Sequence, residues 1–221
     1  MAWGMRNIVI SLFGSSIMEG RIGVECFSDR YYAILQRKLS EKFPDCCFSI
    51  INGAIGGKST RELMSVFDEN VLKYSPDYCL FMAGANNMDM NRKERILKPG
   101  ELEELMEQFE KRLVPGCKRI GVVLNPVIDH CHFTCNDPAW QEVLEESGGF
   151  NALLEKERDK ARTFYAKYKY PVIDLAKLMS HDPSEFVLET DGIHLSPSGH
   201  RLFADAAFEL LEKIFERDLN K

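Results

Sequence analysis

Five short runs of nearly continuous apolar residues punctuate the chain: IVISLF at 8–13, CFSIIN at 47–52, YCLFMAG at 78–84, RIGVVLNPV at 119–127 and PVIDLA at 171–176. Runs of this length without polar alternation predict parallel strands covered on both faces. Between them the apolar positions change to a helical period. One helix is predicted from Ser28, as N-cap, with Tyr32, Leu35 and Leu39 on one stripe. A second carries Leu102, Leu105, Met106, Phe109 and Leu113, and a third spans 149–168 through Phe150, Leu153, Leu154, Ala161 and Phe164. The last runs from Pro197 to about 217, capped by Ser196, with Leu202, Phe203, Ala206, Leu210 and Ile214 on its apolar face. Strands alternating with helices predict a doubly wound, three-layer α/β/α sandwich whose functional residues gather at the carboxyl ends of the strands.

Composition narrows the class. The 221 residues, 45% apolar and 28% charged, suit one globular domain over 1–221, and no Pro/Ser-rich linker divides them. A net charge of -6, with basic residues interleaved among acids, argues against nucleic acid and anionic membrane as partners. The opening MAWGMRNIVI has neither a cleavage site nor a spanning segment, and seven cysteines are an odd number, so a reducing, cytoplasmic setting is expected.

The strand ends carry the candidate chemistry. INGAIGGKST after the second run looks like a phosphate-binding loop, but that pattern needs four residues between its first Gly and the Gly-Lys pair. Here only three separate Gly53 from Gly57, the required glycine position is Asn52, and no later strand ends in a magnesium-binding Asp. A nucleotide site is therefore not expected. DHCHFTCNDPAW brings His130, Cys131, His132 and Cys135 into one loop, but their spacing fits no familiar zinc site, and the loop can equally border a substrate cleft. No metal and no cofactor are expected.

Four other turns combine. FGSSIMEG presents serines after the first strand, NGAIGG exposes glycine N–H groups after the second, and GANN offers side-chain amides after the third. DGIHLSPSGH places Asp191 three residues before His194, a spacing at which a carboxylate can orient an imidazole. Singly, each turn could be only a turn. At one sheet edge they supply the hydroxyl, the oxyanion donors and the base of an acyl-transfer site.

In these blocks the chain resembles the GDSL/SGNH hydrolase family along essentially its whole length, and DGIH continuing into LSPSGH is the most specific match. The resemblance implies a flavodoxin-like, five-stranded parallel sheet and cofactor-free hydrolysis of carboxylic esters. The family covers short acyl groups on carbohydrates, lysophospholipids, thioesters and simple esters; an acidic chain without a membrane-binding helix favours the short acyl or acetyl esters, some carried on carbohydrate. The resemblance makes Ser16 the nucleophile, Asp191 and His194 its partners, and Ser16, Gly57 and Asn86 the oxyanion donors. The α/β-hydrolase elbow is absent, since Met18 stands where its last glycine would be. Two positions depart from the family pattern: Ser15 replaces the acid before the nucleophile, and Asn87 replaces the acid after the oxyanion asparagine. Ser15 and Asn87 are expected to hydrogen-bond to the catalytic turns as a neutral pair. The competing reading is a non-catalytic relative that binds acylated ligands or a protein partner. The segment IMEGRIGVECFSD, with Phe133 and Trp140, could wall the acyl or alcohol pocket, or these aromatics could pack beneath loops.

Overall fold

A computed structural model describes residues 6–219. Its centre is a five-stranded, wholly parallel sheet in the order β2-β1-β3-β4-β5. The strands are β1 Arg6–Phe13, β2 Cys46–Asn52, β3 Tyr78–Phe81, β4 Lys118–Val123 and β5 Val172–Asp174. Helices cover both faces, as the apolar runs predict.

Side chains alternate across a strand, and this divides the core in two. Ile8, Ile10 and Leu12 of β1 join Leu80, Ile120, Val122 and Ile173 on one face. There they meet the helix Tyr31–Lys42 and the final helix Pro197–Leu219 through Leu35, Leu39, Phe203, Ala207, Leu211 and Phe215. Phe13, Cys79, Phe81 and Val123 point the other way, toward the helices Thr60–Ser65, Glu101–Arg112 and Phe150–Lys167. Phe13, Phe67, Phe81 and Phe109 form the aromatic centre of that layer, with the Phe81 and Phe109 rings 4.1 Å apart.

Strands end earlier than the apolar runs suggest: β3 stops at Phe81 and β4 at Val123, so Met82–Gly84 and Leu124–Val127 are loop, though largely buried. The first helix requires a correction. Ser28 does not cap it; Phe27–Asp29 form a separate 3-10 turn and the helix begins at Tyr31. The Tyr31 N–H is satisfied instead by His200 Nδ1 at 3.3 Å, a partner supplied by the far end of the chain. The final helix does start as read, with Ser196 Oγ accepting from the Gly199 N–H at 3.1 Å. Among the described residues no helix is long and apolar enough to cross a membrane.

Sequential strands are placed on opposite sides of β1, with β2 on one flank and β3 on the other. Sheets with such a reversal bind ligands outside the carboxyl ends of the strands that flank it, here β1 and β3. The turns carrying Ser16 and Asn86 emerge there.

Candidate active site

β1 leads through Gly14 and Ser15 into the one-turn helix Ser16–Glu19. The Glu19 N–H bonds to the Ser15 carbonyl and the Gly20 N–H to that of Ser16, which closes the turn. The two serines differ in environment: Ser15 is only 6% exposed, whereas Ser16 is partly open. The glycine turn lies alongside, since a Cβ built on Gly56 would stand 3.6 Å from the Ser16 Cβ.

That turn is held by its helix and by a distant arginine. Ser59 accepts from the Glu62 N–H while the Glu62 carboxylate accepts from the Ser59 N–H, a reciprocal cap that starts the helix Thr60–Ser65. Burial works against the Glu62 carboxylate, but the Ser59 N–H and hydroxyl, with Lys58 and Arg95, outweigh it and hold the pKa down at about 2. Arg95 also donates to the Gly57 carbonyl at 2.8 Å, fixing a residue whose φ of +73° suits glycine.

The asparagine pair ties these two turns together. Asn86 Nδ2 donates to Ser15 Oγ at 2.6 Å and to the Lys58 carbonyl at 3.2 Å. Asn87, 3% exposed, accepts from the Thr60 N–H at 2.8 Å through Oδ1. Ser15 thus contacts the asparagine turn, and Asn87 the start of the helix that follows the glycine turn. Both hydrogens of the Asn86 amide are engaged, so an oxyanion could receive one only after the longer bond to Lys58 is given up.

Asp191 and His194 meet before the final helix. His194 Nδ1 lies 2.9 Å from Asp191 Oδ2, while Asp191 Oδ1 accepts from the N–H groups of Ile193 and His194. Burial tends to raise the Asp191 pKa, but those two N–H groups and the imidazole bring it below the usual carboxylate range. An ionised carboxylate only accepts, so in the neutral imidazole the proton sits on His194 Nδ1 and the lone pair on Nε2. His194 Nε2 is buried and has no hydrogen-bond partner; the structure does not join it to Ser16.

The His/Cys loop flanks this pair. His130 is exposed and His132 only 5% exposed, and among the described residues no group of three or more His, Cys, Asp or Glu is placed to hold a metal ion. His132 stacks on Phe150 at 4.4 Å. Burial pulls its pKa down to about 4, aided by nearby His194 and opposed by Asp191. Trp140 is 3% exposed and packs against Phe150 beneath the loop, whereas Phe133 is 59% exposed.

Arg95, Asn125 and Arg158 do not stand out in the sequence motifs, and His132 stands out only as part of the His/Cys loop. Arg158 did leave a signal: it occupies a buried position on a stripe shared with Leu154, Ala161 and Tyr165, where an apolar residue is the norm.

Solved structures with this fold include a lipase/acylhydrolase from Enterococcus faecalis, 21% identical, with a TM-score of 0.71 over 91% of this chain and 94% of that one. An α/β hydrolase enzyme from the metagenome of Lake Arreo, Spain, is 19% identical, with a TM-score of 0.70 over 95% and 97%. An acetyl xylan esterase from Geobacillus stearothermophilus is 17% identical, with a TM-score of 0.67 over 94% and 95%. No curated protein sequence matches the chain. The family model described as GDSL-like Lipase/Acylhydrolase matches residues 12–202. The chain therefore belongs to the GDSL-like lipase/acylhydrolase family and is a carboxylic ester hydrolase.

Proposed function

We propose that Ser16 is the nucleophile of a serine acyl-transfer site, with His194 as its base and Asp191 as the orienter of that base. The observation that carries this reading is the His194 imidazole, tied through Nδ1 to Asp191 at 2.9 Å while its buried Nε2 is left without a partner. Such an Nε2 is the proton acceptor a hydroxyl nucleophile needs. Ser16 and His194 share no hydrogen bond in the resting site, and catalytic hydrogen bonds are often long before substrate binds.

As Ser16 Oγ attacks the acyl carbonyl, His194 Nε2 takes its proton and Asp191 stabilises the imidazolium. The oxyanion forms among the N–H groups of Ser16 and Gly57 and the Asn86 amide. His194 then protonates the departing alcohol, and afterwards takes a proton from the water that releases the acyl group. Short-chain acyl esters are the proposed substrates, acetyl esters on carbohydrate among them; two of the structural relatives are described as acetyl xylan esterases, from Geobacillus stearothermophilus and in a second structure. Seven unpaired thiols fit a reducing, cytoplasmic setting.

A fluorophosphonate probe should label Ser16 and nothing else, and Ser16→Ala should abolish both labelling and ester hydrolysis while the melting temperature holds. A folded wild-type protein that resists the probe would reject this reading in favour of a non-catalytic module binding acylated ligands.

A further inference from the structure

Arg158 sits 2% exposed on the helix Phe150–Lys167. A guanidinium has five N–H donors, and here each has an acceptor. Nε donates to the Leu124 carbonyl at 3.0 Å; Nη1 donates to the Asn151 carbonyl at 3.2 Å and to Glu155 Oε2 at 2.9 Å. Nη2 donates to the Asn125 carbonyl at 2.6 Å and to Asn151 Oδ1 at 2.9 Å. The fork therefore grips two consecutive carbonyls just beyond the end of β4.

Those carbonyls begin a strap that runs to the catalytic turn. Asn125, fully buried, donates from Nδ2 to its neighbour Pro126 at 2.9 Å and to the Ile193 carbonyl at 2.8 Å. Three residues on, the Ile128 N–H donates to the Gly192 carbonyl at 2.8 Å. Asn151 secures the strap from the helix side, accepting from the Val127 N–H and donating its own N–H to Asp129 Oδ1. Gly192 and Ile193 are the two residues between Asp191 and His194. The Asp191 carboxylate holds the N–H groups of this turn from within, while Asn125 and Ile128 hold its carbonyls from outside.

We propose that Asn125, locked in place by the Arg158 fork, is a positioning residue for the Asp191–His194 pair, its bond to the Ile193 carbonyl fixing where the imidazole points. A buried cation bonded largely to neutral carbonyls contributes little net stability, because desolvation offsets much of the attraction. Its specific product here is geometry: two carbonyl directions fixed by one planar group, which a lysine cannot reproduce. The inference rests on the reading of His194 as the base.

The test uses the full chain with Asn125→Ala, Asn125→Ser and Arg158→Lys. Two readouts are needed: the low-field proton NMR resonance of His194 Nδ1–H, and kcat and KM for p-nitrophenyl acetate. The expected result is cooperative melting with the low-field resonance lost or broadened, kcat lowered about 10- to 100-fold and KM changed by less than about twofold, as for a displaced base. Arg158→Lys should fall between wild type and Asn125→Ala. Should the alanine variant fail to fold, the serine variant, which keeps a polar side chain in the buried site, decides. Folded Asn125 variants that keep both the resonance and wild-type kcat overturn the proposal. The two readings fail separately. A wild type that resists fluorophosphonate but loses its resonance on Asn125 substitution defeats the catalytic reading and leaves the positioning intact. Labelling at Ser16 with an unresponsive resonance does the opposite.

Discussion

At the scale of single residues, Ser15 and Ser16 show how neighbours in sequence can be given different work by burial. Ser15 Oγ accepts the 2.6 Å bond from Asn86, and it does so without the negative charge an aspartate would bring beside a developing oxyanion. Ser15→Ala should lower kcat several-fold and cost about 1 kcal/mol, the worth of one neutral hydrogen bond. Asn87→Ala, which strands the buried Thr60 N–H, should cost about 1–3 kcal/mol. Urea unfolding and turnover measured on both variants check this; if neither quantity moves in either variant, the neutral pair has no structural role. The Asp191–His194 contact was legible in the sequence because both residues lie in one local pattern, and Ser16 is proposed from a pattern equally local. Asn125 and Arg158 were not legible, because their meaning depends on partners dozens of residues away, although an arginine on an apolar stripe was a visible irregularity. Asn87 was legible as a departure from the family pattern, but its partner Thr60 was not.

The elements were legible to the extent that their stabilisation is local. Continuous apolar runs located all five strands, and the Ser-Pro start of the last helix was readable because its cap lies beside it in sequence. The start of Tyr31–Lys42 was misplaced because its capping partner is His200, which also lies 2.9 Å from the Ile22 carbonyl. That histidine seats the segment following Ser16 against the segment carrying His194. Gly23 makes the same junction close: a Cβ there would lie 1.8 Å from the Leu195 carbonyl oxygen, at a φ of +96°. Gly57, at +73°, has no atom within 4 Å of where its Cβ would be. Gly57→Ala should therefore cost only the backbone strain, about 1 kcal/mol, while Gly23→Ala adds a clash with backbone and should cost more than twice that. Thermal melts of the two variants side by side test the ranking.

Across the whole molecule, burial of imidazoles links stability to acidity. His132 is held neutral by its surroundings, with a pKa near 4 in the fold against about 6.5 in an unfolded chain, and burial lowers His200 in the same direction. Since the unfolded chain takes up these protons first, the stability is whole above pH 6.5 and declines as pH falls from there toward 4. His132 alone contributes on the order of 3 kcal/mol to that decline. Urea unfolding between pH 7 and 4 should show the slope, and His132→Phe should flatten it. Glu62 acts lower, losing its contribution as pH falls from about 4.5 toward 2. The order of parts along the chain has its own consequence for synthesis. The fifth strand is complete at Asp174, whereas Asp191 and His194 come later, followed by the helix that covers one face of the sheet. A nascent chain leaving the ribosome can pair every strand and display Ser16 while still lacking His194, the base proposed for it. With Asp191 and His194 as the proposed catalytic pair, hydrolytic competence arrives only with the closing segment, and an interrupted translation product is expected to be inert rather than a loose esterase.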